Sequence, residues 1–376
     1  MHQQPQYAQS APVLGQMGMP VMHNQPPQHP PQPAAAPVAL MPGVGQAYYA
    51  PIVVTVMPGK PPRGRAVHPE WNPTDDARRL RAAMKGLGTD NSDVIHIICS
   101  RDRDHLQYVR LEYRNLFGRH LLHDLEKETS FFFKDVIAGL VMSDAEYRAH
   151  VLHEATKGAG TRDSTLIDVI CTATASQLAA TKIAYSALFH ADLDHVIKKE
   201  TSGNFENLLI ALLRCTRPDW GVVQATVQSD VEILWKATEG KIGTDEKTCI
   251  EIITARSHDH MAVVDKAFIG RSKKKHDLRK CLDSETSGNF KISLQAAMTD
   301  VCHWFAHRIH FAAKGLGTND TMLIQCLLLP NQWQVQDIYH ILKAEHGKDL
   351  IQLIRSETSG NYRNALTSYV ENCLRP

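Results

Sequence analysis

Four glutamates and four glycine turns recur along this chain at matched distances. The turns read Met84-Lys85-Gly86-Leu87-Gly88-Thr89, Thr156-Lys157-Gly158-Ala159-Gly160-Thr161, Glu239-Gly240-Lys241-Ile242-Gly243-Thr244 and Ala313-Lys314-Gly315-Leu316-Gly317-Thr318, and the glutamates are Glu128, Glu200, Glu285 and Glu357. From the last glycine of each turn to its glutamate the separations are 40, 40, 42 and 40 residues. Glycine tolerates positive φ and leaves the backbone unshielded, so successive carbonyl oxygens can point outward to one spot. A carboxylate brought there from another loop completes a cluster of hard oxygens, the donor type Ca²⁺ takes about six to eight of at roughly 2.3–2.6 Å. About three carbonyls and one carboxylate leave such a shell unfinished, and a phospholipid phosphate or carbonyl oxygen can finish it. One carboxylate per ion also implies weak affinity for calcium alone, so binding is expected to need both calcium and acidic lipid. Four weak sites on one rigid body become one strong attachment if they share a face. The tip residues Leu87, Ala159, Ile242 and Leu316 are apolar or small where exposure favours polar types. They are the expected membrane contacts, since full burial of a Leu-sized side chain is worth roughly 1.5–3 kcal/mol.

Elements must hold each turn against its glutamate. Successive turns lie 72, 83 and 74 residues apart, the mark of an array built from one supersecondary unit of about seventy residues. Within the first unit the apolar residues fall at helical spacing: Ala77, Leu80 and Met84; Val94, Ile95 and Ile98; Leu106, Val109 and Tyr113; Leu121, Leu122 and Leu125; Phe133, Val136, Ile137 and Leu140. That pattern predicts five short helices per unit and about twenty in all, with no alternating strand pattern. The fold class expected is all-α, the glycine turn joining the first helix to the second and the glutamate closing the fourth. Thr89, Thr161, Thr244 and Thr318 are read as N-caps of the second helices.

Composition separates this array from a leading arm. Fifteen of the nineteen prolines precede Glu70, and that stretch holds no Asp or Glu and only Lys60, Arg63 and Arg65 as strong bases. Such a segment buries too little apolar surface to offset its ordering entropy. Residues 1–66 are expected to be a disordered Pro/Gln-rich tail, in which Ile52-Val53-Val54-Thr55-Val56 is either an apolar linker or a segment that adds as a strand or docks on the core. The expected repeats are 67–142, 143–216, 217–301 and 302–376. Outside the tail, 38 basic residues face 40 acidic ones. A near-neutral core has no standing attraction for nucleic acid or anionic lipid, so no nucleic-acid partner is expected and lipid binding needs an added cation. Neither a signal peptide nor a membrane-spanning run is read in the sequence, and eight cysteines without C-x-x-C spacing suit reduced thiols in a cytosolic protein.

These motifs together make the sequence resemble the annexins. The Lys-Gly-x-Gly-Thr turns and the downstream Glu-Thr-Ser-Gly-Asn-Phe, at Glu200–Phe205, Glu285–Phe290 and, ending in tyrosine, Glu357–Tyr362, carry the likeness over residues 67–376. The resemblance implies a slightly curved disc of four five-helix repeats whose calcium loops, on the convex face, meet acidic phospholipid. It assigns the carbonyls of Met84, Gly86 and Gly88 with Glu128 to one site. Thr156, Gly158 and Gly160 with Glu200 make a second, and Ala313, Gly315 and Gly317 with Glu357 another. In the third unit Lys241 replaces the first motif glycine, which is displaced to Gly240, so Gly240, Lys241, Gly243 and Glu285 are the assigned positions. In the first unit Ser130-Phe131-Phe132-Phe133 stands where the others have Ser-Gly-Asn, and a phenylalanine at a glycine position is expected to alter the turn beside Glu128. Arg101 and Arg256, which the family uses as internal braces, are replaced in units two and four by Ala173 and Pro330, where local stability is in question. Pro330 should also end its helix early.

A non-enzymatic, calcium-dependent binder of acidic phospholipid membranes such as those rich in phosphatidylserine is the expectation. Membrane organisation, vesicle aggregation or trafficking would be its work, the tail would serve protein partners, and self-association on membranes would accompany it. The alternatives are a calcium-conducting protein and an enzyme such as a peroxidase, phospholipase or nucleotide hydrolase, for which no nucleophile–base–oxyanion set is readable. One further group stands apart: His303, His307 and His310 share a helical face with Cys302 adjacent. Imidazoles so placed can bind zinc or copper, but no companion carboxylate is evident in the sequence and a solvated helix is the simpler reading.

Overall fold

A computed structural model of the chain describes residues 72–86, 88–314 and 317–375. The tail, including Ile52–Val56, lies outside the described residues, as do Leu87, Gly315 and Leu316. The described residues form twenty helices and no strand. The first repeat comprises α1 (Pro73–Ala83), α2 (Asn91–Ser100), α3 (Arg103–Phe117), α4 (Leu121–Glu128) and α5 (Phe131–Val141). The second has α6 (Asp144–Thr156), α7 (Asp163–Leu166), α8 (Ala175–Phe189), α9 (Leu193–Glu200) and α10 (Gly203–Leu213), with α7 running on as a π-helical turn over Ile167–Cys171. The third has α11 (Gln224–Ala237), α12 (Glu246–Ala255), α13 (His258–Arg271), α14 (Leu278–Glu285) and α15 (Gly288–Met298). The fourth has α16 (Val301–Ala312), α17 (Asp320–Leu328), α18 (Gln332–His346), α19 (Leu350–Glu357) and α20 (Gly360–Leu374). The all-α, five-helix expectation therefore holds in each repeat.

Local chemistry accounts for the helix ends. Asn72 caps α1 by accepting from the amides of Thr74 and Asp75, with Pro73 at the first helical position, where its missing N–H costs nothing. The fourth helix of every repeat stops at its glutamate, because the threonine that follows turns its hydroxyl back onto the helix. Thr129 donates to the Leu125 carbonyl at 2.6 Å, Thr201 to Ile197 at 2.7 Å, Thr286 to Leu282 at 2.6 Å and Thr358 to Ile354 at 2.5 Å. This fixed exit sets where each glutamate side chain begins.

The apolar stripes read in the sequence close on one another in a continuous core that includes Leu80, Ile97, Leu106, Tyr113, Leu125 and Ile137, all essentially inaccessible. Between repeats the packing pairs the first with the fourth, through α2 and α5 on α20, and the second with the third, through α10 on α12 and α15. Between the second and fourth repeats the seam is polar. Asp168, on the π-helical turn, accepts from Arg308 at 2.6 Å and from the Trp304 indole at 2.8 Å. All eight cysteines are free thiols.

The brace expected of Arg101 and Arg256 is present: Arg101 pairs with Asp76 at 2.8 Å and Arg256 with Asp230 at 2.7 Å, each tying the end of a second helix to its first. In the other two repeats the acid is missing together with the arginine. Counted back from the turn glycine, Arg148 and Phe305 stand near where Asp76 and Asp230 do. The end of α17 gains its donors from elsewhere. Arg148 of the second repeat donates to the Leu329 carbonyl at 2.7 Å, and Arg103 of the first to the Leu328 carbonyl at 2.8 Å. As expected of Pro330, α17 ends at Leu328, two residues before it. The carbonyls freed there are satisfied across the seams, so the missing internal brace leaves no orphaned helix end.

Candidate functional site

The four glycine turns are closed by the same backbone bond. The amide just after the turn threonine reaches back to the end of the first helix: Asp90 to Ala83 at 2.9 Å, Arg162 to Ala155, the last residue but one of α6, at 2.9 Å, Asp245 to Ala237 at 2.7 Å and Asn319 to Ala312 at 2.9 Å. Inside the loop so closed, Gly158 and Gly160 adopt φ of 92° and 90°, and Gly86 and Gly88 φ of 123° and 89°. Only glycine enters that region without strain. In the second repeat, where every turn residue is described, the carbonyls of Thr156, Gly158 and Gly160 accept no hydrogen bond from any described residue. Backbone acceptors left open this way, three in one turn, could serve as donors to a cation.

In the first, second and fourth repeats the glutamate is held at its turn by a hydrogen bond from the threonine that ends it. Thr89 Oγ1 donates to Glu128 Oε2 at 2.8 Å, Thr161 Oγ1 to Glu200 Oε2 at 2.7 Å, and Thr318 Oγ1 to Glu357 Oε2. The N-cap reading of these threonines is corrected accordingly. The caps are the next residues: Asp90, accepting from Ser92 and Asp93, Asp245 from Thr248, and Asn319 from Met322, while Arg162 in the second repeat gives no side-chain cap. Cap preference alone does not separate two adjacent residues that both qualify. In the first and fourth repeats a carboxylate 39 residues away claims the hydroxyl, and its neighbour takes the cap.

Comparison with known proteins finds four copies of one family repeat in this chain. The model of the family "Annexin" matches residues 75–140, 147–212, 229–297 and 304–368. The chain belongs to the annexin family. Annexin A5 of Cynops pyrrhogaster is 35% identical over 302 residues, 79% of this chain and 93% of that protein. Among solved structures, annexin III superposes with a TM-score of 0.76 at 30% identity, over 82% of this chain and 95% of that one. A calcium-bound annexin (Sm)1 does so with a TM-score of 0.71 at 26% identity, over 80% and 90%.

The third repeat of this annexin is built differently from the other three. The Thr244 hydroxyl is buried without a partner among the described residues, and Glu285 lies 4.0 Å from the Lys274 ammonium. Gly240 is needed for packing rather than for openness. Its amide donates to the Trp235 carbonyl at 2.8 Å, and an added Cβ would meet Lys236 Cα at 2.8 Å. Of the assigned positions Gly240, Lys241, Gly243 and Glu285, only Gly243 has the positive φ, 78°, of the open turn glycines.

The first repeat departs from the others at Phe131, and not as the sequence led us to expect. Phe131 adopts φ of 50°, close to the 64°, 59° and 59° of Gly203, Gly288 and Gly360 at the same place in the other repeats. The turn beside Glu128 is thus kept, and the Thr89–Glu128 bond forms, contrary to the expected alteration. Its neighbour Phe132 packs on Tyr362 with ring centroids 5.5 Å apart, whereas Phe131 is 85% exposed. At the tips, Ala159 is exposed and Ile242 is fully so. Phe131 and Ile242 are the two most exposed large apolar side chains among the described residues, and both sit at a glycine-turn site.

Proposed function

We propose that this annexin attaches to acidic phospholipid membranes in a calcium-dependent way, through the glycine turns and their glutamates. The observation that carries this reading is the second repeat, where three open carbonyls share a turn with Thr161, and Thr161 holds Glu200. The donor set is all hard oxygen, which fits calcium, and a related annexin structure is described as calcium-bound. Met84, Gly86 and Gly88 with Glu128 would hold one ion. Thr156, Gly158 and Gly160 with Glu200 would hold a second, and Ala313, Gly315 and Gly317 with Glu357 another. In the third repeat, Gly243 and Glu285 would act with Gly240 or Lys241. When bound, calcium supplies the positive charge that a near-neutral surface lacks for an anionic headgroup.

This chain's residues do the rest. The threonine hydroxyl occupies Oε2 of the glutamate and so orients the carboxylate before any ligand arrives. Too few protein oxygens are offered to fill a calcium shell, which leaves room for lipid oxygens. Ile242, Ala159 and Phe131 stand where they would enter the lipid interface, with Leu87 and Leu316 assigned the same role from the sequence. Among the described residues no helix is long and apolar enough to cross a membrane, which favours surface attachment over a conducting span. Membrane organisation or vesicle aggregation in the cytoplasm is the work this attachment would serve.

Sedimentation with phosphatidylserine liposomes over a calcium titration tests the reading. The chain should stay in solution in chelator and pellet with calcium. The double variant Glu200→Gln and Glu357→Gln should need about tenfold more calcium, because each substitution removes the only charged ligand of a site. Pelleting unchanged in that variant would remove these ligands from the mechanism.

A further inference from the structure

The histidines of α16 are not a stripe without neighbours: His303 and His307 are half exposed. They face the C-terminal end of α18, which brings Glu345 and His346 to them. His307 Nε2 lies 3.5 Å from one Glu345 oxygen and His303 Nε2 lies 3.4 Å from the other. The His307 ring meets the His346 ring edge-on at 4.7 Å, and His310 stacks on His346 at 4.2 Å. Ligand atoms of His307, Glu345 and His346 all fall within 4.8 Å of one another. The carboxylate missing from the sequence reading is therefore present, contributed by a helix about forty residues downstream.

His346 Nε2 and His310 Nδ1 are buried with no hydrogen-bond partner among the described residues. A buried ring nitrogen that neither donates nor accepts is a cost unless something occupies it. On the outer side, Asp300 accepts from or pairs with His303 Nδ1 at 3.1 Å, the carboxylate–imidazole arrangement that orients a metal-ligating histidine.

We propose that His307, Glu345 and His346 form a zinc site in the fourth repeat, separate from the calcium turns, with His303 as an adjoining donor oriented by Asp300. Two imidazoles and a carboxylate are a donor set for zinc with an open fourth position. Calcium prefers the all-oxygen turns. Donors about 2.0–2.2 Å from a tetrahedral ion stand roughly 3.3 Å apart, so His307 and Glu345, at 3.5 Å, already have nearly that spacing and the widest pair must draw in by up to about 1.5 Å. His307 and Glu345 are exposed enough to do this by side-chain rotation and to admit the ion directly from solvent. His310, which the sequence placed with His303 and His307, becomes a packing partner of His346 instead.

The test uses the full chain, stripped of metal and held in excess calcium so that the glycine turns are filled. Zinc is titrated against a chromophoric chelator, and Co²⁺ is added in parallel to report on the ligands by visible absorption. One ion per chain should bind, with affinity at least about tenfold weaker in H307A, E345Q and H346A and unchanged in H96A, a histidine remote in sequence from the cluster. Zinc should raise the melting temperature of the wild-type chain and not of H346A. H307A, whose side chain is half exposed, is the variant least able to disturb packing, so the comparison survives if H346A misfolds. Calcium-dependent liposome pelleting should be the same in H307A and the wild type, which separates failure of this site from failure of the calcium reading. Equal zinc affinity and equal Co²⁺ spectra in the wild type, H307A and E345Q, an adventitious ion only, would overturn the proposal.

Discussion

Phe131 shows at a single residue how stability and function are set against each other in this chain. A side chain other than glycine held at positive φ costs roughly 1–2 kcal/mol, and Phe131, 85% exposed, recovers almost none of that by burial. Three repeats place glycine there and avoid the cost. Phe131→Gly should therefore stabilise the isolated protein by about 1 kcal/mol, after allowing for the greater freedom of glycine in the unfolded chain, and raise its melting temperature by a few degrees. The same variant should need more calcium to pellet with phosphatidylserine liposomes, because the ring beside Glu128 no longer enters the interface. Phe131→Ala keeps the strained backbone and loses the ring. It should weaken lipid binding without the gain in stability. Thermal melts and liposome titrations of the two variants together separate the backbone from the ring, and a glycine variant no more stable than the alanine one would remove the strain from this account.

At the scale of helices, the end of each second helix needs a partner, and the repeats find it in two ways. In the first and third repeats an arginine pairs with an acid of the first helix. Asp230 is 1% exposed, and although burial pushes its carboxyl up, the hydrogen bonds from Arg256 and His260 outweigh this and hold it below the usual range. Removing the guanidinium leaves that carboxylate with His260 alone. Arg256→Ala should cost about 2 kcal/mol in urea unfolding, less than the roughly 3–5 kcal/mol of a fully buried pair because Arg256 itself is 27% exposed. An effect under half a kilocalorie would make the pair ornamental. Much of this level was legible in advance, since apolar spacing located the helices and the turn-to-glutamate distance located the sites. The rest turned on which of two competent residues a distant group selects. Thr89 and Asp90 are neighbours, and only the position of Glu128 shows what the hydroxyl does. Arg148 bracing the Leu329 carbonyl and Glu345 meeting His307 are likewise contacts between elements that no local pattern announces.

For the molecule as a whole, the seams between repeats are where titration reaches the fold. The second and third repeats meet at His258, whose Nε2 lies 3.2 Å from the Cys171 carbonyl, and beside it Arg217, at the start of the third repeat, donates to the Ala297 carbonyl at 2.7 Å and the Arg256 carbonyl at 2.5 Å. The bond to Cys171 requires a protonated Nε2, which the neutral ring supplies. Burial in the seam, followed by the nearby Arg217 charge, drives the His258 pKa well below its ordinary 6.5. In the unfolded chain the same ring takes a proton near pH 6.5, so below that value the unfolded state binds more protons than the folded one. Stability is therefore full above pH 6.5 and lost as the pH falls, by up to about 1.4 kcal/mol per pH unit until the lowered folded value is reached. His258→Gln keeps an amide donor for Cys171 and cannot titrate. Urea midpoints measured from pH 7.5 to 5.5 should fall more steeply for the wild-type chain than for this variant, with the two curves parallel above pH 7. The same slope in both would show that the proton is taken up elsewhere, and that the seam between the second and third repeats is not what acid opens.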